Sequence, residues 1–144
     1  MSCKIKTCCI SSVEEARMAI NQGADALGLV GKMPSGPGPI ADELIASIVK
    51  IINPPIASFL LTSEQTATGI AAHVKRVNTN TVQIVDELTE GTYAEIRNAL
   101  PYLKIVQVIH VTGEESIGQA MKVNDHVDAI LLDSGNPNAA VKTL

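Results

Sequence analysis

The sequence predicts an α/β domain built on a parallel sheet. Six β-branched or aliphatic runs recur along the 144 residues at roughly 25-residue spacing. The segments between them carry apolar residues at helical rather than alternating intervals. Hydrophobic residues make up 46% of the chain and charged ones only 18%, which is composition for a packed core and not for a disordered chain.

The runs are Lys4–Ile10, Ala26–Gly31, Pro55–Thr62, Thr81–Asp86, Lys104–Val111 and Ala129–Ser134. After the first, Ser12 is placed to cap a helix, with Glu15 three residues on as its reciprocal partner. Val13, Ala16, Arg17 and Ile20 follow at helical spacing, and Gly23 sits where that helix stops. Leu44, Ile45, Ile48, Val49 and Ile52 form one face of a second helix over Asp42–Ile52, which Asn53-Pro54-Pro55 ends because proline cannot continue it. Ser63–Val77, Tyr93–Leu100 and Glu114–Val123 read as the third, fourth and fifth helices. Strict alternation of strand and helix calls for right-handed crossovers and a parallel sheet.

Composition narrows the function classes. Aromatics stand at 2% and the net charge is −4, with no basic run longer than Lys75-Arg76. Nucleic acid is a poor fit, lacking both neutralising charge and stacking rings. No stretch reaches the roughly 18 apolar residues of a membrane span. Cys3, Cys8 and Cys9 make no disulfide framework, consistent with a reducing, cytoplasmic setting.

Particular residues sharpen the fold. Lys6-Thr7-Cys8-Cys9-Ile10-Ser11 opens the chain, Gly23-Ala24-Asp25-Ala26-Leu27-Gly28 leads the second strand, Thr81-Val82-Gln83-Ile84 forms the fourth, and Asp128-Ala129-Ile130-Leu131-Leu132-Asp133 ends the sixth on an aspartate. In that order and spacing, they resemble the phosphoribosylanthranilate isomerase family. The resemblance implies a parallel (β/α) barrel of TIM type with six strands and five helices, its last two βα units missing. It treats 1–144 as one C-terminally incomplete barrel domain, the natural product continuing past Leu144. A complete flavodoxin-like domain satisfies the same alternation and remains the rival architecture.

The family's reaction is a cofactor-free Amadori rearrangement in tryptophan biosynthesis, taking N-(5-phosphoribosyl)anthranilate to a 1-deoxyribulose 5-phosphate product. Carried over by position, Cys8 is the general base and Asp133 the general acid. No metal is implied, and the partner is a phosphosugar, with copies of the chain associating through exposed strand edges. Strand alternation puts Lys6 on the same face as Cys8, where its ammonium favours a thiolate. It also turns Cys9 toward the helix layer. Gln83 and His110 are further candidates for contact with substrate. His73 reads as part of an exposed helix face, and His126 as part of a loop at the opposite end.

Two departures stand against the resemblance. The loop Gly31–Pro39 holds no arginine where the family recognises the anthranilate carboxylate, and Lys32 is its only cation, which cannot form a bidentate fork. The glycine-rich phosphate loop expected after the sixth strand is not found before Leu144, and Asp86-Glu87 adds negative charge after the fourth. A non-catalytic or re-purposed phosphosugar-binding barrel is therefore the alternative function.

Overall fold

A computed structural model describes residues 3–134. The order is β1 (Lys6–Thr7), α1 (Val13–Asn21), β2 (Ala26–Val30), α2 (Asp42–Val49), β3 (Ala57–Thr62), α3 (Ala67–Val77), β4 (Thr81–Ile84), α4 (Tyr93–Ala99), β5 (Lys104–His110), α5 (Glu115–Asn124) and β6 (Ala129–Asp133). The six strands form one parallel sheet in the order β1-β2-β3-β4-β5-β6. Each strand lies beside its sequence neighbour, as in the wall of a (β/α) barrel. That order overturns the flavodoxin-like alternative, which needs a central first strand.

Register divides the strands into two faces. Leu27, Leu29, Leu60, Val82, Ile84 and Ile105 pack against Ala16, Ile45, Ile48, Ile70, Val74 and Ile96 of the helices in a continuous apolar layer. The alternate residues, among them Val30, Leu61, Gln83 and Val106, occupy the other face. Apolar residues on both faces of β2 match a strand covered on both sides, while β4 is buried throughout although Thr81 and Gln83 make one of its faces polar.

Asx residues stitch the N-terminal edge of the sheet. Asp25, just before β2, accepts the Ile5 N–H at 2.8 Å, and Asn80, before β4, accepts the Ser58 N–H at 3.0 Å. Asp128, before β6, accepts the Ile105 N–H at 2.9 Å. Each carboxylate or amide bridges to the preceding strand, so the turn that starts one strand also fixes its neighbour. Lys4 pairs with Asp25, and Arg97 and Lys104 pair with Asp128.

Three local expectations change. Ser12 caps α1 by accepting the Glu15 N–H, but the Glu15 carboxylate accepts from Ser11 N–H and not from Ser12. The complete capping box is at Thr92 and Glu95 on α4, which the sequence reading passed over. His73 is not on an exposed face: it is 5% exposed, between α2 and β3. Its Nε2–H donates to Asp42 Oδ1 at 3.1 Å, and its Nδ1 lies 2.9 Å from the Thr62 hydroxyl. Arg76 Nε donates to the other Asp42 oxygen. The neighbouring Lys75 and Arg76 are exposed and suggested the same for His73, yet a residue two positions from Lys75 lies on a different side of the helix.

Replacing His73 by Ala removes the ring partner of the buried Thr62 hydroxyl, which keeps only the Glu64 N–H, and of Asp42, and the expected cost is about 2 kcal/mol by urea denaturation. Lys75→Ala, on the exposed face, should change stability by no more than about 0.5 kcal/mol. Equal losses would show that the buried network contributes nothing.

Acid should unfold the chain through Asp25, Asp42 and Asp128, all held below their ordinary value of 3.8. For Asp25 the cause is the Lys4 hydrogen bond, then the Ile5 N–H. For Asp42 and Asp128 burial acts upward but is outweighed, by Arg76 and His73 for the first and by Ile105 N–H, Lys104 and Arg97 for the second. The unfolded chain therefore binds protons first as pH falls. The stabilisation is complete above about pH 5, begins to fall near the unfolded value and is lost as pH drops through the depressed values, which urea midpoints at pH 7, 4 and 3 would register.

Candidate active site

The C-terminal ends of the strands gather most of the residues singled out in the sequence. β1 is only two residues long, so the alternation expected across Lys4–Ile10 stops at Thr7. The chain still follows β2, with Ile10 N–H donating to Gly28 O at 3.2 Å. Cys8 lies against Gly28: a Cβ there would approach the Cys8 sulfur to 2.7 Å and its backbone to 3.1 Å. The missing side chain on β2 is what lets Cys8 sit over the sheet, where it is exposed.

Cys9 takes a left-handed conformation, φ 60°, and this overturns its expected orientation toward the helices. Its sulfur lies 3.7 Å from the Pro37 carbonyl and its Cβ against Gly38, in the loop after β2. Glycine, the residue of the family motif, meets no steric resistance at that φ. The loop is tied down by Ile40 N–H to Val30 O and Gly31 N–H to Leu61 O, both 2.9 Å. Lys32 is exposed, and among the described residues its side chain makes no hydrogen bond or ion pair; only its backbone carbonyl is engaged, by Ser63.

Lys6 reaches from β1 across the inner face. Its ammonium donates to Gln83 Oε1 and stands 4.9 Å above the Phe59 ring centroid. Burial pushes the Lys6 ammonium down from its ordinary value, while the Cys8 and Cys9 thiols pull the other way. Burial pushes the Cys9 thiol up, the adjacent Cys8 thiol adds to this, and Lys6 opposes it. Lys6 thus interacts with Gln83 through a hydrogen bond and with the two thiols through charge.

His110 and Asp133 meet at the ends of β5 and β6, where they are register partners. His110 Nε2 is 3.0 Å from the Val85 carbonyl, and its Nδ1 is 3.3 Å from Asp133 Oδ2. His110 also lines a cavity of about 470 Å³ with Asp86, Glu87, Tyr93, Gln107 and Lys122. Tyr93 donates its O–H to Gln107 Oε1 at 2.9 Å, and burial, aided by Glu87, pushes the phenol up. Sequence reasoning missed Tyr93 and Gln107, because a tyrosine opening a helix and a glutamine on an apolar strand carry no motif. The position of the expected phosphate loop, after Ser134, lies outside the described residues.

The chain is 33% identical over 132 residues to N-(5′-phosphoribosyl)anthranilate isomerase 2 of Methanosarcina mazei, spanning 91% of this chain and 58% of that protein. It is 24% identical over 133 residues to the N-(5′-phosphoribosyl)anthranilate isomerase of Methanocella arvoryzae, spanning 92% and 62%. The crystal structure of phosphoribosyl anthranilate isomerase from Thermotoga maritima matches with a TM-score of 0.79 at 22% identity, covering 99% of this chain and 66% of that one. A phosphoribosyl anthranilate isomerase in complex with reduced 1-(o-carboxyphenylamino)-1-deoxyribulose 5-phosphate matches at 0.75 and 23% identity, covering 92% and 65%. No family model matches the chain. The chain spans about three fifths of the length of the curated relatives it matches. The family resemblance and the TIM-type fold expected from the sequence are both borne out.

The two adjacent thiols should differ in reactivity. Exposed Cys8 should react with iodoacetamide at pH 8 about tenfold faster than half-buried Cys9, as peptide mass mapping over time would show. Equal rates would mean that the loop after β2 does not shelter Cys9.

Proposed function

We propose, on the likeness of sequence and fold to phosphoribosylanthranilate isomerases, that the protein containing this chain catalyses the Amadori rearrangement of N-(5-phosphoribosyl)anthranilate. Asp133 protonates the ribose ring oxygen; the C1′–O bond breaks with its electron pair on oxygen, and the amine nitrogen forms the C1′=N bond. Cys8, as thiolate, then removes the C2′ proton to give the enolamine. The observation that carries this reading is that both residues stand at the C-terminal ends of strands in a parallel barrel wall, where such folds assemble their chemistry.

Lys6 supports the base role, since its ammonium interacts by charge with both thiols. Gln83 holds Lys6 on the inner face. His110, beside Asp133, is placed to meet the substrate, and exposed Lys32 is the cation available to its carboxylate. Self-association belongs to the outer strands: Leu132 on β6 and Ile117 and Met121 on α5 are exposed apolar side chains along that edge.

The experiment is turnover of N-(5-phosphoribosyl)anthranilate by the natural gene product. Cys8→Ser and Asp133→Asn should each lower kcat by about 100-fold or more, with the fold retained by circular dichroism. Activity indifferent to both substitutions would remove these roles. The missing arginine in the loop after β2 favours a second reading, a phosphosugar-binding barrel without turnover; calorimetric binding of the phosphosugar without conversion would establish it instead.

A further inference from the structure

The His110–Asp133 contact has a proton inventory that its geometry decides. A carbonyl oxygen only accepts, so the 3.0 Å approach of Nε2 to Val85 O requires the proton on Nε2. In a neutral ring with that tautomer, Nδ1 carries a lone pair. Nδ1 is shielded from water, makes no hydrogen bond, and lies at ion-pair distance, 3.3 Å, from a carboxylate oxygen of Asp133, which when ionised also presents only lone pairs. Lone pair against anion, at a site screened from solvent, is repulsive. One proton between Nδ1 and Oδ2 turns the contact into an attraction, whether drawn as imidazolium with carboxylate or imidazole with carboxylic acid.

The two side chains cannot drift apart cheaply. His110 and Asp133 are partners in the β5–β6 register, and Val111 N–H donates to Asp133 O at 2.7 Å just beyond them. The side chains are 18% and 33% exposed, so water weakens the contact only in part.

We propose that His110 is a positioning residue that holds a shared proton on Asp133, so that the pair and not the lone carboxyl is the acid. This rests on the reading of Asp133 as the general acid. Proton transfer to the sugar ring oxygen empties the pair, leaving the imidazole lone pair facing a carboxylate. It is refilled when the enolamine intermediate gives up its hydroxyl proton while C1′ takes back the proton that Cys8 carries, giving the ketone, so no external acid is consumed. The charged and titratable groups sharing the cavity with His110 are Asp86 and Glu87 after β4, Tyr93 on α4 and Lys122 on α5. By charge alone, the two carboxylates favour a proton on the pair and Lys122 opposes it.

The test is imidazole nitrogen NMR of the natural gene product labelled with ¹⁵N-histidine, which requires no turnover. At pH 7 the His110 Nε2 should carry its proton, and Nδ1 should resonate between the free-imidazole and imidazolium positions. In Asp133→Asn, Nδ1 should return to the free-imidazole position, while His73 and His126 stay unchanged. A protonated Nδ1 with a bare Nε2 in the unsubstituted protein overturns the proposal, as does an Nδ1 signal indifferent to Asp133→Asn. Should Asp133→Asn fail to fold, the tautomer of the unsubstituted protein still decides. His110→Gln adds a kinetic arm: kcat should fall about 100-fold, KM should hold within about twofold, and the alkaline limb of the kcat/KM profile should move to lower pH. A fall in kcat with an unmoved profile would make His110 merely structural. Absence of turnover alongside the expected NMR would count against the isomerase reading and leave the shared proton standing.

Discussion

Consecutive parallel register is the constraint on which the rest depends. Because every strand pairs with its sequence neighbour in the same direction, alternate residues fall on the same face from β1 to β6. One set becomes the apolar layer against the helices, and the other carries Lys6, Gln83, His110 and Asp133. A one-residue slip of β4, β5 or β6 would send Gln83, His110 or Asp133 into the helix layer and an apolar residue of that layer toward the site. The Asx bridges at Asp25, Asn80 and Asp128 guard against that slip. They fix the N-terminal ends of strands whose C-terminal ends carry the chemistry.

Period and punctuation made the fold legible. Every run identified as strand or helix exists, and the differences are in lengths: strands lost a residue or two at their ends, and α2 ends at Val49 before the proline pair. The largest loss is at β1, where an apolar run gave no sign that pairing stops after Thr7. The cause is backbone geometry, since Cys9 at φ 60° leaves the extended region. In the site, Lys6, Gln83, His110 and Asp133 were each singled out from the sequence, but the Lys6–Gln83 hydrogen bond and the His110–Asp133 pairing come from strand register that no single segment carries. The errors have another origin. His73 was read from the charges beside it in sequence, whereas its burial comes from Asp42 and Thr62, 31 and 11 residues away. Tyr93 and Gln107 meet only because α4 packs over β5, information held in no local window.

The thiol and the acid are supported by different parts of the sheet. Cys8 owes its place to a side chain that is absent, at Gly28, while the neighbouring Cys9 is held by a loop pinned on β2 and β3. Asp133 is held by β5, through a backbone hydrogen bond and the His110 ring, and His110 is in turn held by the carbonyl that follows β4. The two supports share no residue among these contacts. Damage to one is therefore local, and the base and the acid are separable in mutational terms even though one reaction needs both.

Charge follows the same division. A net charge of −4 is a poor advertisement for a site that receives a phosphorylated, carboxylate-bearing molecule. Yet much of the negative charge serves the scaffold: Asp25 and Asp128 are neutralised at the N-terminal edge of the sheet by Lys4, Lys104 and Arg97, and Asp42 in the helix layer by Arg76. The inner face carries the Lys6 ammonium and the His110 ring, which lies between the Val85 carbonyl and Asp133. Asp86 and Glu87 are the exception, placed beyond β4 on the wall of the cavity that His110 shares. Their carboxylates are badly placed to attract an anion but well placed to keep a proton on the pair beside them. The acidic departure from the family pattern and the shared proton are then one electrostatic arrangement, in which negative charge around the acid favours its loaded form.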